Sequence, residues 1–146
     1  MTTQKLYIPT DDEMRTLLQT YKHIAVVGLS ADPTRPAHDV SLYMQRAGYT
    51  IIPINPRHAG QTIMGQRVYA TLTEAQQAGE PIELVNVFRL PQAIPPVVDE
   101  AIKIGAKAIW VQLDLRNDPA GLVAQQAGLT YVQDHCIKME HRRLLH

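Results

Sequence analysis

The chain has 146 residues, of which 45% are hydrophobic and 19% are charged, and its 14 Lys and Arg residues balance its 14 Asp and Glu residues. This composition is typical of one globular domain, which we expect to span residues 1–146, and it excludes a disordered chain. Zero net charge without a polybasic run argues against a nucleic-acid-binding surface and against membrane adhesion. The single cysteine, Cys136, excludes an intramolecular disulfide, and the N-terminus has no apolar signal-peptide region. We therefore expect a cytoplasmic protein.

The first predicted element is a helix that begins just after Thr10. Thr10 and Glu13 have the spacing of a capping box, in which each side chain accepts a hydrogen bond from the backbone N–H of the other residue. The apolar residues that follow recur at helical spacing and predict one buried face, formed by Met14, Leu17, Leu18 and Tyr21.

Short apolar runs then alternate with helical patterns along the chain. The runs are rich in β-branched residues and nearly continuous, which is typical of strands that are covered on both faces in a parallel sheet. Further helices are predicted around Val40 and Met44, from Pro95, and from Asn117. The five predicted strands span residues 23–28, 49–54, 83–88, 106–113 and 129–132.

A glycine precedes each of the last four strands. Glycine just past a helix supplies the positive φ that turns the chain back toward the sheet, although the helix before Gly79 is short and weakly indicated. Strands that alternate with helices form right-handed βαβ units. The fold class predicted is α/β, Rossmann-like and doubly wound, with a mainly parallel five-stranded sheet between two helical layers. The four glycines are Gly48, Gly79, Gly105 and Gly128.

The turn after the first strand is a candidate phosphate site, because such sheets bind ligands beyond the carboxyl ends of their strands. Gly28 permits a tight turn and Ser30 offers a hydroxyl group. Arg35 lies directly before a helix that begins near Pro36, and the free N–H groups of that helix would attract a phosphate. The alternative is an ordinary strand-to-helix turn, which also favours Gly and Ser.

The dinucleotide fingerprint G-x-G-x-x-G is not satisfied, because Ser30 and Pro33 stand where the second and third glycines belong. The second strand ends in Asn55, Pro56 and Arg57, without the carboxylate that NAD-binding proteins direct at the ribose. Arg57 could instead contact a ribose phosphate, which both NADP and coenzyme A carry. A solvated loop is an alternative of equal weight.

The ends of the third and fourth strands supply further candidates. Phe88 and Arg89 could offer a platform and a charge, and the amide of Gln112 is expected to point toward the crevice. Trp110, in contrast, is expected in the core, where large aromatic side chains are usually found.

The sequence offers little support for catalysis or metal binding. Neighbouring residues on an extended segment point to opposite sides, so His135 is poorly placed to activate Cys136, which we expect to be a buried structural cysteine. The histidines lack metal-ligand spacing. The charged tail at residues 138–143 is expected to be a solvated segment or helix.

Six stretches form a combination that is specific although each is weak alone: VVGLS at 26–30, DPTRP at 32–36, IPINP at 52–56, VFR at 87–89, WVQL at 110–113 and CIKMEHRRL at 136–144. Together they resemble the small stand-alone CoA-binding domain proteins, the YccU-like family, over residues 21–144. That family is related to the N-terminal domain of the succinyl-CoA synthetase α subunit and of ADP-forming acyl-CoA synthetases.

The resemblance implies a Rossmann-like domain that binds CoA, or an acyl-CoA, through its ADP moiety. The family often has Gly at the position of Asp114. The resemblance therefore does not predict the backbone conformation at Asp114 or a ligand contact there. The implied contacts are Gly28, Leu29 and Ser30 at the diphosphate, Asn55, Pro56, Val87, Phe88 and Arg89 around the nucleotide, and Gln112 facing the same crevice.

The phosphohistidine and ATP-grasp domains of the synthetases are absent from this sequence, so the resemblance implies binding without the synthetase reaction. The expected ligand is a CoA thioester, and the candidate partners are a second copy of the chain or an acyl-CoA enzyme. Two alternatives remain: an NADP-binding oxidoreductase or redox-sensing domain that uses Arg57, and an interaction protein with a vestigial crevice. A mixed disulfide between Cys136 and the CoA thiol is a further hypothesis.

Overall fold

A computed structural model describes residues 4–145, so the ends of the domain predicted for residues 1–146 lie outside the described part. The helices are α1 (Asp11–Thr20), α2 (Pro36–Arg46), α3 (Leu72–Gln77), α4 (Ile94–Lys103), α5 (Asp118–Gln126) and α6 (Ile137–Leu144). The strands are β1 (His23–Val27), β2 (Thr50–Ile54), β3 (Thr62–Ile63), β4 (Gln66–Arg67), β5 (Leu84–Val87), β6 (Ala108–Val111) and β7 (Thr130–Val132).

Five strands form one parallel sheet in the order β2-β1-β5-β6-β7. The chain runs outward from β1 to β2, returns to β5 and continues to β7 on the other side, which is the doubly wound arrangement predicted from the sequence. Each strand is shorter than its predicted run, because the flanking residues belong to the turns. The reversal of strand order at β1 places a crevice at the carboxyl edge of the sheet.

Two apolar cores cover the two faces of the sheet. Ile24 and Val26 of β1 face one core, which is closed by α1, α2 and α6, whereas Ala25 and Val27 face the other, which is closed by α3, α4 and α5. Because successive strand residues point to opposite faces, a run that is apolar throughout serves both cores. The predicted three-layer α/β/α architecture is confirmed.

The helix ends follow the local signals in the sequence. Thr10 and Glu13 form the predicted capping box, with both reciprocal hydrogen bonds present. Asn117 begins α5 by accepting a hydrogen bond from the Ala120 N–H. The four glycines predicted to follow helices all have positive φ. Trp110 is fully buried, as predicted.

One feature was not predicted and another was only partly predicted. A short hairpin pairs β3 with β4, and its four strand residues are too few to give a periodic pattern. The charged tail, expected to be a solvated segment or a helix, is the helix α6. Its ends Ile137 and Leu144 are buried, and the residues between them are charged or polar except the exposed Met139. Among the helices of residues 4–145, none combines the length and the apolar character needed to cross a bilayer.

Candidate functional site

A cleft of about 900 Å³ lies at the carboxyl edge of the sheet, above β2, β1, β5 and β6. Its volume lies within the range of small-molecule and cofactor sites. Nine of the eleven predicted site residues line it, namely Gly28, Ser30, Arg35, Asn55, Pro56, Arg57, Phe88, Arg89 and Gln112.

The side chains of the other two predicted residues do not line the cleft. Leu29 and Val87 are fully buried in the two cores. Since each residue as a whole is inaccessible, neither Leu29 nor Val87 is exposed in the cleft. Apolar residues in a turn or at a strand end are hard to assign from sequence, because the same residue types serve the core.

The turn after β1 brings three strand ends together. Gly28 has a φ of +92°, and its N–H donates to the carbonyl oxygen of Ile54 at the end of β2, at 2.9 Å. The Phe88 N–H in turn donates to the carbonyl oxygen of Val27, also at 2.9 Å. These bonds fix the floor of the cleft at the point where strand order reverses.

The loop that leads into α2 is closed by Asp32. Its carboxylate accepts from the N–H and the hydroxyl group of Thr34, at 2.9 and 2.7 Å, while the Asp32 N–H donates to the Ser30 hydroxyl at 3.0 Å. The hydrogen bonds from Thr34, and to a smaller extent the nearby positive charge of Arg35, lower the pKa of Asp32. The Asp32 carboxylate is therefore ionised and shapes the loop.

The N-terminus of α2 opens onto the cleft. Arg35 is its N-cap residue and supplies no side-chain hydrogen bond, Pro36 follows in the first turn, and Pro36 and Ala37 both line the cleft. Pro36 has no N–H, and the His38 and Asp39 N–H groups donate to the Arg35 carbonyl oxygen, so this helix start offers an anion the Ala37 N–H and the positive end of the helix dipole. This end of the cleft is suited to an anion.

Asn55 holds two loops of the cleft in place. Its amide Nδ2 donates to the carbonyl oxygen of Leu29 at 3.1 Å, and its Oδ1 accepts from the Arg57 N–H at 3.0 Å. The second bond caps the single 3-10 turn Pro56–His58. Because both ends of the amide are engaged, Asn55 positions its neighbours rather than offering a free polar group.

Charge is distributed unevenly along the cleft. Arg57 and Arg89 form no salt bridge within residues 4–145, whereas Arg35 lies 3.9 Å from the Asp32 carboxylate. The β5–β6 side carries Arg89 after β5, but it also has exposed apolar side chains, with Leu90 and Leu113 exposed at 63% and 47% and Leu115 beside them. The cleft thus has a cationic end near β2 and an apolar end near β6.

Gln112 links the cleft to α6. Its side chain is 6% exposed, and its Oε1 accepts from the Ile137 N–H at 3.4 Å, in the first turn of α6. The amide both lines the cleft and is tied to the helix that packs behind it.

Cys136 lies at the start of α6 and is partly buried, so it is more accessible than the buried cysteine expected from the sequence. No hydrogen bond joins His135 to Cys136 within residues 4–145: the His135 Nδ1 hydrogen-bonds the Gln133 carbonyl oxygen at 2.7 Å, and Asp134 accepts from the Asp114 N–H at 2.7 Å. Within residues 4–145, no group of three or more His, Cys, Asp or Glu residues is placed to hold a metal ion.

The sequence model of the CoA binding domain matches residues 22–142. The chain belongs to the CoA binding domain family. The uncharacterized protein YneT of Bacillus subtilis (strain 168) is 40% identical over 133 residues, which cover 91% of this chain and 95% of that protein. The resemblance identified from the six sequence stretches is confirmed.

Solved structures agree with this assignment. A hypothetical protein from Pyrococcus horikoshii OT3 superposes with a TM-score of 0.89 at 35% identity, covering 100% of this chain and 99% of that one. The fold is also found in an acetyl-coenzyme A synthetase 1 of Ca. Korarchaeum cryptofilum, with a TM-score of 0.65 at 18% identity over 77% of this chain and 26% of that one. The latter likeness concerns the fold alone.

Proposed function

We propose that the cleft binds CoA, or an acyl-CoA, through its ADP moiety, and that the protein is a non-catalytic binding module. The proposal rests on one observation: the N-terminus of α2, Arg57 and Arg89 all border one cleft, and neither arginine forms a salt bridge within residues 4–145, in a chain of the CoA binding domain family.

The diphosphate belongs at the β1–α2 turn. Backbone N–H groups at a helix start bind phosphate without requiring a charged side chain, and the Ser30 hydroxyl and the Arg35 guanidinium lie on the same stretch. Arg35 is already 3.9 Å from Asp32, so we expect it to contribute less than an unpaired arginine would.

Arg57 and the neighbouring His58 lie at the β2 side of the cleft and match the 3′-phosphate of CoA. Arginine binds phosphate through paired N–H donors, and Arg57 has no carboxylate partner in the described part of the chain. Arg57 also fits the 2′-phosphate of NADP. A redox role is therefore the second candidate function.

The apolar side of the cleft suits the pantetheine arm. Leu90 and Leu113 are exposed large apolar side chains at the β5–β6 edge, and a bound arm would cover them. The ligand would then extend across the cleft, with the ribose phosphate near β2, the diphosphate at the β1–α2 turn and the pantetheine arm near β6.

Isothermal titration calorimetry with CoA, dephospho-CoA, NAD and NADP tests this proposal. We expect CoA to bind, dephospho-CoA to bind more weakly because it lacks the 3′-phosphate, and NAD to bind least. A ligand at 100 times its dissociation constant should stabilise the fold by about 2.7 kcal/mol, which a thermal-shift assay detects. Binding of NADP without binding of CoA would favour the redox role and overturn the proposal.

A further inference from the structure

A second cavity, of about 430 Å³, lies at the outer edge of the sheet beside β7. The N-terminal segment 4–9 forms its outer wall and is held against α5 by two hydrogen bonds between the Tyr7 backbone and the Gln125 side chain, at 3.1 and 2.7 Å. The opposite wall combines the apolar side chains of Met14, Leu122 and Val132 with polar residues from the end of β7 and the start of α5, and Leu6 adds an apolar side chain from the outer wall.

The polar groups in this wall are engaged within the protein. The Tyr131 hydroxyl donates to the Asn117 carbonyl oxygen at 3.2 Å, and the Gln133 amide donates to Asp118 at 2.6 Å. The Arg116 guanidinium lies 3.7 Å from carboxylate oxygens on both Asp118 and Asp134. Lys5, the remaining cationic residue of the lining, is exposed to solvent, so a group that enters between the two walls meets apolar surface and paired charges, which favours an uncharged apolar occupant.

The cavity is adjacent to the cleft. Leu113 and Leu115 line the cleft, whereas Arg116, in the same loop, lines the cavity. The Asp114 N–H donates to Asp134, which lines the cavity, so one short loop separates the two spaces.

The spacing of the two sites fits one extended ligand. The β1–α2 turn and the end of β7 are three strands apart in the sheet order, or about 14 Å at 4.7–4.9 Å per strand. The arm of CoA from the diphosphate to the sulfur contains about twelve bonds, as many as four residues of extended backbone, which span about 13–14 Å. The exposed Leu90 and Leu113 lie between the two sites.

From this geometry we infer that the β7 cavity receives the acyl group of an acyl-CoA, and that the acyl group is aliphatic and uncharged. The inference rests on the proposed binding of the ADP moiety in the cleft. The sulfur would lie at the loop 113–116, and the acyl chain would continue between α5 and the N-terminal segment.

The test is calorimetry on the full chain with CoA, octanoyl-CoA and succinyl-CoA. We expect octanoyl-CoA to bind at least tenfold more tightly than CoA, because its chain leaves water for an apolar cavity. Succinyl-CoA should gain no such advantage, since moving its terminal carboxylate out of water is costly and the Arg116 guanidinium already faces Asp118 and Asp134. Lys5 lines the cavity but is exposed, so a contact with it would be screened by solvent.

Two neighbouring substitutions on α5 test whether the octanoyl chain of the ligand lies in the cavity. Leu122→Trp fills the cavity and should remove the advantage of octanoyl-CoA over CoA. Val123→Trp adds the same side chain at a position that is 44% exposed and lies outside the cavity lining, so it should leave that advantage unchanged. Binding of CoA by Leu122→Trp checks that the variant is folded.

The outcomes separate this inference from the proposed function. Equal affinities for CoA and octanoyl-CoA, or an octanoyl advantage that survives Leu122→Trp, would overturn the acyl site while CoA binding stands. Failure of both CoA and octanoyl-CoA to bind would overturn the two together. If Leu122→Trp does not fold, equal affinities of the unaltered protein for CoA and octanoyl-CoA would still overturn the acyl site.

Discussion

A β-carbon added to Gly28 would lie 2.5 Å from the carbonyl oxygen of Phe88. No L-residue with a side chain can occupy position 28 unless the ends of β1 and β5 move apart, because the obstacle is backbone rather than a flexible side chain. The φ of +92° excludes other residues for a second, independent reason. The same turn is the proposed diphosphate seat, so backbone packing and ligand access are set by one glycine.

Gly28→Ala should therefore lower both stability and CoA affinity. Backbone strain at positive φ alone costs about 1–2 kcal/mol, and separating the strand ends adds to it. Gly128→Ala is the matched control, since φ is +90° there and no atom lies within 4 Å of the added β-carbon. Urea denaturation should give a larger loss for Gly28→Ala than for Gly128→Ala, and only the former should weaken CoA binding. Equal losses of stability would mean that the contact with Phe88 is relieved at little cost.

Arg57→Gln should weaken CoA binding by about tenfold to a hundredfold, since hydrogen bonds to charged groups contribute about 1.5–3 kcal/mol. Dephospho-CoA, which lacks the 3′-phosphate, should bind the variant and the unaltered protein alike. Calorimetry with both ligands measures the difference. A variant that loses affinity for the two ligands equally would place Arg57 at the diphosphate instead.

Asn55→Asp should cost stability and affinity together. The carboxylate can still accept from the Arg57 N–H, but the donor to the Leu29 carbonyl oxygen is lost and two oxygens then face each other across a 3.1 Å gap. We expect a loss of about 1–3 kcal/mol in the free energy of unfolding. The added negative charge should also repel a phosphate at the cleft.

Asn117→Asp is a close control for that change. Asn117 also caps a helix with Oδ1 and donates from Nδ2 to another loop, at the Pro91 carbonyl oxygen, but it does not line the cleft. Asn117→Asp should also lose stability, but its CoA affinity should be unchanged. If the two variants bound CoA equally well, Asn55 would have a purely structural role.

Much of the fold could be predicted because local signals and the global architecture agree. The capping box at Thr10, the apolar runs and the glycines after helices each favour one conformation, and together they favour βαβ units. The hairpin of β3 and β4 could not be predicted, since Thr62–Ile63 and Gln66–Arg67 are too short for a periodicity. For α6 the sequence left open a solvated segment or a helix, because only the ends of this segment carry buried apolar residues.

The residues around the cleft were identified by their position after each strand, a topological rule that needs no knowledge of side-chain direction. Side-chain direction is what the rule cannot give, and Leu29 and Val87 accordingly turned out to face the cores. The β7 cavity was not predicted either. Its walls come from the N-terminal segment, α5 and the end of β7, which are far apart in sequence.

The backbone conformation of Asp114 accounts for the glycine that is common at this position in the family that the sequence resembles. Its φ is +68°, in the left-handed region that Asp tolerates better than most residues do. Asp114→Val should lower the free energy of unfolding by about 1–2 kcal/mol, whereas Asp114→Gly should change it by less than about 1 kcal/mol. Thermal denaturation of the two variants compares them directly. If Asp114→Val were as stable as the unaltered protein, the loop would be able to change its backbone conformation at no cost.

His141 should make stability depend on pH. Burial, together with the nearby Lys22 ammonium group, lowers the pKa of His141 in the folded protein. Its Nδ1 lies 2.8 Å from the Tyr43 hydroxyl oxygen, and its ring meets the Tyr49 ring edge to face. A neutral imidazole can accept the hydrogen bond from Tyr43, whereas an imidazolium at this place would face Lys22 and lose that acceptor.

The sign follows from linkage. The unfolded chain binds the proton more readily than the folded protein does. Protonation of His141 should therefore not reduce the free energy of unfolding above about pH 7, and that free energy should fall as the pH drops through the ordinary histidine pKa of about 6.5. His141→Phe keeps an aromatic ring between Tyr43 and Tyr49 but cannot titrate, so it should flatten this dependence between pH 7 and 5. Urea denaturation at several pH values measures both proteins. If the free energy of unfolding changed with pH in the same way in both proteins, His141 would not couple protonation to the packing of α6.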